Sequence, residues 1–196
     1  HAEINFQAEG GLIAIAGDEK REYGQGEVFA VTPDDAMFQK GTIKVESVVS
    51  GDKITVSSLN RGYGTPSYRG SFELFSSAEG MILVNELPLE EYLYAVVPSE
   101  MPASYELEAL KAQAVCARSY AYNQTQGLSY PEYNAHVDDS TSFQVYGNSK
   151  EQESAVRAVD ETRGQKLWYQ NQVVTAYYYS TSCGKTTGIE AWGTTP

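Results

Sequence analysis

Positive charge is scarce in this sequence. Its 14 lysines and arginines face 26 aspartates and glutamates, for a formal net charge of −12. That balance argues against a nucleic-acid partner, because holding phosphates takes a basic face. It also argues against docking on an anionic membrane by charge. Long apolar runs are missing too. No stretch reaches the roughly 18 residues that would read as a membrane span. A starting methionine and a signal peptide are also missing. The chain opens at "HAEINF" and stops at "WGTTP", which reads as an excerpt of a longer protein with its C-terminus cut short.

The length and the apolar content are ample. The chain has 196 residues, 41% of them hydrophobic, which suits one large domain or two small ones with a real core. Aromatics make up 12%, and tyrosine alone occurs 15 times. Tyrosine combines a flat apolar face with a hydroxyl, as carbohydrate-binding surfaces require. It also simply fills β-sheets.

Residues 1–84 read as β structure. "LIAIAG", "EVFAVT", "TIKVESVV", "KITVSSL" and "MILVNE" are short, rich in β-branched residues and punctuated by Gly, Asp and Asn, as in an antiparallel meander. "RGYGTPSYRGSFELF" reads as a Gly-rich loop leading into a strand over 71–75. From Pro88 the period changes. Leu89, Leu93 and Val96 fall at i, i+4 and i+7, one apolar stripe of a helix. Pro98 is expected to end that helix, with Val97 pushed toward extended geometry. A second helix is expected from Ser104 as N-cap to about Gln124, with Glu106 and Glu108 in its first turn. After a loop over 125–148, "SKEQESAVRAVDETRG" reads as a third helix ending at Gly164. "QKLWYQNQVVTAYYYS" reads as a hairpin turning near Asn171, followed by a polar loop, "TSCGKTTG". The expected fold class is α+β: a β-rich part over 1–84 packed on a helical and hairpin part over 85–196, without a flexible linker between them.

"PSEMP" places Glu100 between two prolines, in what reads as a short connection between helices. Such connections often carry function on a rigid scaffold. Pro98, Met101 and Pro102 can keep water from its carboxyl, and a carboxyl that loses hydration keeps its proton more readily, as a general acid requires. A solvent-facing loop carboxylate, or a cap for the second helix, reads equally from the residues alone.

The stretch "NELPLEEYLYAVVPSEMPASYELEALKAQAVCARSYA" resembles the SpoIID/LytB family, named for the stage II sporulation protein D of endospore-forming bacteria. The resemblance continues in "DDSTSFQVYG", in "AVDETRGQKLWYQNQVVTAYYYSTSCGKT", in the final "EAWG" and in the upstream "RGYGTPSYRGSFELF". It implies a lytic transglycosylase acting in the cell envelope on peptidoglycan glycan strands, preferably strands stripped of stem peptides. Such an enzyme cleaves the N-acetylmuramic acid to N-acetylglucosamine bond without water and leaves 1,6-anhydro ends. The family's catalytic glutamate lies in its "EMP" motif, which assigns the role to Glu100. A single carboxylate suffices, because the sugar's own C6 hydroxyl is the nucleophile. A water-using glycosidase normally needs two carboxylates.

The resemblance also implies substrate contacts. Gln144 and Tyr146 match the family's "QxY". Tyr178, Ser180 and Ser182 match a polar strand end near the site. Arg118, on the second helix, either holds a muramyl carboxylate or pairs with an acid for structural reasons. Glu90 and Glu91 read as a solvated face. The family's zinc ligands are not matched: Asp138, Ser142 and Phe143 stand at their positions, with Glu132 near an upstream one. Phe143 has no donor and Ser142 is a poor zinc ligand, so neither a metal nor another cofactor is expected. Both cysteines, Cys116 and Cys183, should lie near Glu100. An oxidising envelope favours pairing them, and a loop of this length would contribute about 4 kcal/mol. One buried and one exposed thiol is the alternative. The rival to an enzyme is a non-catalytic glycan-binding scaffold, with a cell-wall amidase as partner.

Overall fold

The computed structural model describes residues 3–179 together with residues 184 and 185. The fold is α+β. Nine strands come first: β1 (Ile4–Gln7), β2 (Leu12–Ala16), β3 (Glu19–Tyr23), β4 (Phe29–Val31), β5 (Ile43–Ser47), β6 (Ile54–Val56), β7 (Ser67–Tyr68), β8 (Ser71–Ser77) and β9 (Gly80–Glu86). They form two antiparallel sheets, ordered β4-β1-β6-β7 and β3-β2-β5-β8-β9. Three helices follow, α1 (Leu89–Glu100), α2 (Leu107–Gln124) and α3 (Glu153–Glu161), then a small hairpin of β10 (Trp168–Tyr169) and β11 (Gln172–Val173).

Alternation builds the sheets. In β1 and β2 every second residue is buried, so Ile4, Phe6, Leu12 and Ala14 meet Phe29, Ile43, Val45 and Ile54 in one core. The same core takes in Leu93, Val96 and Val97 of α1, Leu110, Ala114 and Ala117 of α2, and Ala155, Ala158 and Val159 of α3. The alanines on α2 and α3 let the helices approach closely. Only Leu87 and Pro88 separate β9 from α1.

Some expectations need correcting. Pro98 does not end α1. It lies inside the helix, which runs on to Glu100. A proline removes one amide donor and crowds the carbonyl four residues back. Here both effects fall in the last turn, where few bonds remain to be lost, and Val96, Val97 and Pro98 are all buried in the core. The turn closes through the Met101 N–H on the Val97 carbonyl at 3.0 Å and the Ser99 hydroxyl on the Ala95 carbonyl at 2.6 Å. Helix α2 begins three residues later than its expected cap. Glu106 takes the N-cap position without a side-chain cap bond, because residues 102–105 instead form a turn in which the Tyr105 amide donates to the Pro102 carbonyl. Helix α3 stops at Glu161, short of Gly164. The hairpin turn falls where expected: Gln170 and Asn171 both have positive φ, 48° and 61°, as a tight two-residue hairpin requires.

Candidate active site

Glu100 is the last residue of α1 and is half-buried, so it sits on a helix end and not in a free connection. Its Oε1 accepts the Val145 amide at 2.7 Å. Among the described residues, no hydrogen bond to Oε2 is formed. Next to it, the Ser99 hydroxyl accepts the amides of Asn148 and Ser149 at 3.1 and 3.2 Å. Two consecutive side chains at the end of α1 thus pin the segment 145–149.

The residues flanking Val145 point inward. Gln144 is 2% exposed and its amide is fully used. Oε1 accepts the Tyr92 hydroxyl at 3.3 Å, and Nε2 donates to the Tyr178 oxygen at 2.9 Å and to the Ala117 carbonyl at 3.3 Å. The Tyr146 hydroxyl donates to Asn85 Oδ1 at 2.7 Å, and Asn85 in turn donates to the carbonyls of Arg69 and Ser71. The Tyr146 ring stacks on Tyr92 at 5.1 Å and on Tyr68 at 5.9 Å between centroids. Burial pushes the phenols of Tyr92, Tyr146 and Tyr178 well above the ordinary tyrosine range. The negative charge of Glu100 adds to the rise at Tyr92 and Tyr178. These phenols therefore stay neutral hydrogen-bonding groups around the carboxyl.

Arg118 takes the second of its two readings. It is 0% exposed. Its Nε and Nη2 meet the Glu90 carboxylate at 2.9 and 2.8 Å, and its remaining donors reach the carbonyls of Val159 and Gln165. Glu90 also accepts the Gly164 amide. Glu90 is therefore not on a solvated face. It shares a buried ion pair that ties α1, α2 and the end of α3 together. In this arrangement neither Arg118 nor Gln144 is open to a ligand from solvent. Tyr178 is half-buried beside the carboxyl. Ser180, Ser182 and Cys183 lie outside the described residues. Cys116 is half-buried, and burial pushes its thiol up.

A cavity of about 700 Å³ is lined in part by Tyr92 and Tyr146. Strands β8 and β9 and the loop carrying Tyr130, Tyr133 and Val137 line it as well. Glu100 is not among the residues that line it.

The loop 130–143 does not fit the zinc that the resemblance would imply. Asp138 is committed to the Ser140 amide and the Tyr130 hydroxyl, and the Ser140 side chain first, then Tyr130, hold it below the usual carboxylate range. His136 faces the Gly127 carbonyl, and Phe143 packs edge-on to Tyr130. No group of three His, Cys, Asp or Glu side chains among the described residues could hold a metal ion. Hydrogen bonds and a ring contact secure this loop.

Sequence reasoning passed over Ser99, Tyr92 and Asn85, and misread Glu90 as part of a solvated face. Ser99 stands inside "PSEMP" beside the residue that drew attention. Tyr92 falls at i+3 from Leu89, on the apolar stripe of α1 itself, and reads there as one more core residue. Asn85 carried no signal at all.

Comparison with known proteins agrees with the motifs. Residues 77–169 match the family model SpoIID, described as stage II sporulation protein. An uncharacterized protein of Brachyspira hyodysenteriae is 41% identical over 119 residues, covering 60% of this chain and 32% of that protein. Stage II sporulation protein D of Bacillus amyloliquefaciens is 39% identical over 126 residues, 57% of this chain and 36% of that protein. The amidase enhancer of Bacillus subtilis is 43% identical over 101 residues, 51% and 13%. The chain thus spans about a third of the first of these relatives. No solved structure matches. The resemblance to the SpoIID family stands, and it centres on β9, α1, α2 and the segment that Glu100 pins.

Proposed function

We propose that this chain carries a cell-wall function and is a peptidoglycan lytic transglycosylase. It acts in the cell envelope on glycan strands, preferably strands without stem peptides, with Glu100 as the general acid and base. The observation that carries the reading is the Glu100 carboxyl itself. One oxygen is fixed by a backbone amide and, among the described residues, the other takes no hydrogen bond, beside phenols that stay neutral. Its "EMP" setting lies inside the stretch that resembles the SpoIID family.

In the proposed reaction, protonated Glu100 gives its proton to the glycosidic oxygen as the bond from the muramyl anomeric carbon breaks. The leaving N-acetylglucosamine keeps that proton as a hydroxyl. The muramyl C6 hydroxyl attacks the anomeric carbon, and its proton returns to Glu100. No water is consumed, and the new end is a 1,6-anhydro sugar. Val145 N–H holds the carboxyl through both transfers. The carboxylate of Glu90 pairs with Arg118 and that of Asp138 takes the Tyr130 hydroxyl. Both are committed elsewhere, which favours chemistry on a single carboxylate over a two-carboxylate hydrolase.

The test is digestion of purified, stripped glycan strands, with product ends read by mass. Wild type should give anhydro ends, one water lighter than reducing ends. Glu100→Gln, of the same size, should keep the fold and lose at least ~10²-fold in activity. Reducing ends would make the protein a water-using muramidase. Binding without cleavage by wild type would make it a glycan-binding scaffold, and the relative named amidase enhancer gives that outcome an amidase as partner.

A further inference from the structure

The hairpin β10–β11 is the most exposed aromatic feature in the described residues. Trp168 is 62% and Tyr169 is 69% exposed, although side chains of this size are normally well covered. The hairpin is not loose. Its turn is a two-residue reversal with Trp168 opposite Val173 and Tyr169 opposite Gln172. It is tied to α2 by the Leu167 amide on the Ser119 hydroxyl at 2.9 Å, and by Asn123 Nδ2 on the Val173 carbonyl and the Thr175 hydroxyl. The rings are therefore presented on a fixed support.

Two properties of the segment say what it could hold. The first is charge. In a chain of net charge −12, no aspartate or glutamate occurs between Glu161 and Glu190. Lys166 lies at the foot of the hairpin, 4.7 Å over the Tyr122 ring. An anionic polymer meets less repulsion here than along the acid-rich stretches of the chain. The second is chemistry. The two rings are interleaved with neutral amides, in "QKLWYQNQ". Flat rings beside amide donors and acceptors suit sugar faces and sugar hydroxyls. An aliphatic protein interface would look different. The same segment leads to the site: Tyr178 lies five residues on from Val173, at most ~18 Å of chain, and it accepts a hydrogen bond from Gln144 beside Glu100.

We propose that the β10–β11 hairpin is a docking surface for the carboxylate-bearing glycan strand, outside the bond-cleaving site, through Trp168 and Tyr169. The identity of the polymer rests on the transglycosylase reading above. Neighbouring residues of a strand face opposite sides, so each ring marks one face of the hairpin, and single substitutions tell which face carries the strand.

The test compares wild type with Trp168→Ala, Tyr169→Ala and Trp168→Phe. Binding is measured on long stripped strands and on a short chitin-type disaccharide. The rings are exposed, so thermal melting of the variants should match wild type. At least one alanine variant should bind long strands about tenfold more weakly, the loss typical of one central aromatic contact. Disaccharide binding should be unchanged, and if Trp168 carries the strand, phenylalanine there should recover most of the loss. Wild-type binding of long strands by both alanine variants overturns the proposal. So does an equal loss on the disaccharide, or a wild-type dimer that the substitutions dissociate, which would give the face to a second copy. Product ends separate the two readings. Anhydro ends with an indifferent hairpin leave Glu100 standing and remove the surface. Hairpin-dependent binding with no cleavage keeps the surface and removes the transglycosylase.

Discussion

Removing the Arg118 side chain should cost more stability than most single changes in this protein. Arg118→Leu leaves the Glu90 carboxylate, whose side chain is 15% exposed, without the two guanidinium bonds that compensate its burial. It also removes the donors on the carbonyls of Val159 and Gln165. Breaking a buried ion pair by deleting one partner costs about 3–5 kcal/mol, because a buried charge is left uncompensated. Against a typical domain stability of 5–15 kcal/mol that is a large share. Replacing both partners together, as Glu90→Leu with Arg118→Leu, should recover part of the loss, since no charge is then stranded. Urea unfolding of the three variants measures this. An exposed pair such as Arg157 with Glu161 serves as control and should change nothing measurable. A loss below ~1 kcal/mol, the range of surface pairs, would refute the reasoning and mean that water reaches the guanidinium. If the variant instead stays stable and its KM for glycan strands rises, Arg118 is a substrate ligand after all.

Ser99→Ala should lower kcat with little change in KM, because it frees the amides of Asn148 and Ser149 and loosens the segment that orients Glu100. Steady-state kinetics on length-sorted strands reads the split. Glu151 is opposed by burial, but its bonds to Arg69 and Lys53 win and hold it below the usual carboxylate range. A carboxylate depressed in the folded state stabilises above its ordinary value, about 4.3, and that stability is lost as pH falls through the folded value. Thermal melts should therefore be flat from pH 7 to about 5 and fall below that, and Glu151→Gln should flatten the acid limb. Cys116 is a free, half-buried thiol, against the pairing with Cys183 expected from the sequence, so thiol labelling of the unreduced protein should reach it slowly in the folded state and fully on unfolding; finding it already disulfide-linked would refute this.

Strands β2, β4, β5, β6, β8 and β9 stand where the sequence marked them, whereas β1, though it alternates buried and open residues, was not picked out. Strand β3, "EKREY", was not legible either. It is an edge strand paired only with β2, with no residue fully buried, so nothing in its composition marks it. Helix α1 was read too short, because local proline chemistry was weighed without the core that holds Val96, Val97 and Pro98. Glu100 was singled out by its motif, but as part of a connection, whereas it is the last residue of α1. The roles of Arg118 and Gln144 were not legible, because an arginine facing solvent and one facing a buried glutamate are the same letter.

The site around Glu100 draws its rigidity from the junction of the two parts of the chain. Val145 N–H can hold the carboxyl only if its peptide is held on both sides. On one side, Gln144 is bonded to Tyr92 of α1, Ala117 of α2 and Tyr178 beyond the hairpin, which fixes it to the helical part. On the other, Tyr146 is bonded to Asn85 of β9 and stacked on Tyr68 of β7, which fixes it to the sheets. Tyr92 closes the loop by stacking on Tyr146. Buried amides and phenols are costly when any partner is missing, so this net has few alternative arrangements. A single carboxylate that, in the proposed reaction, must give and then recover a proton gains from such a frame, because its orientation is held through both transfers. The β-rich part therefore supports the proposed chemistry as well as the fold, through two tyrosine rings and one asparagine.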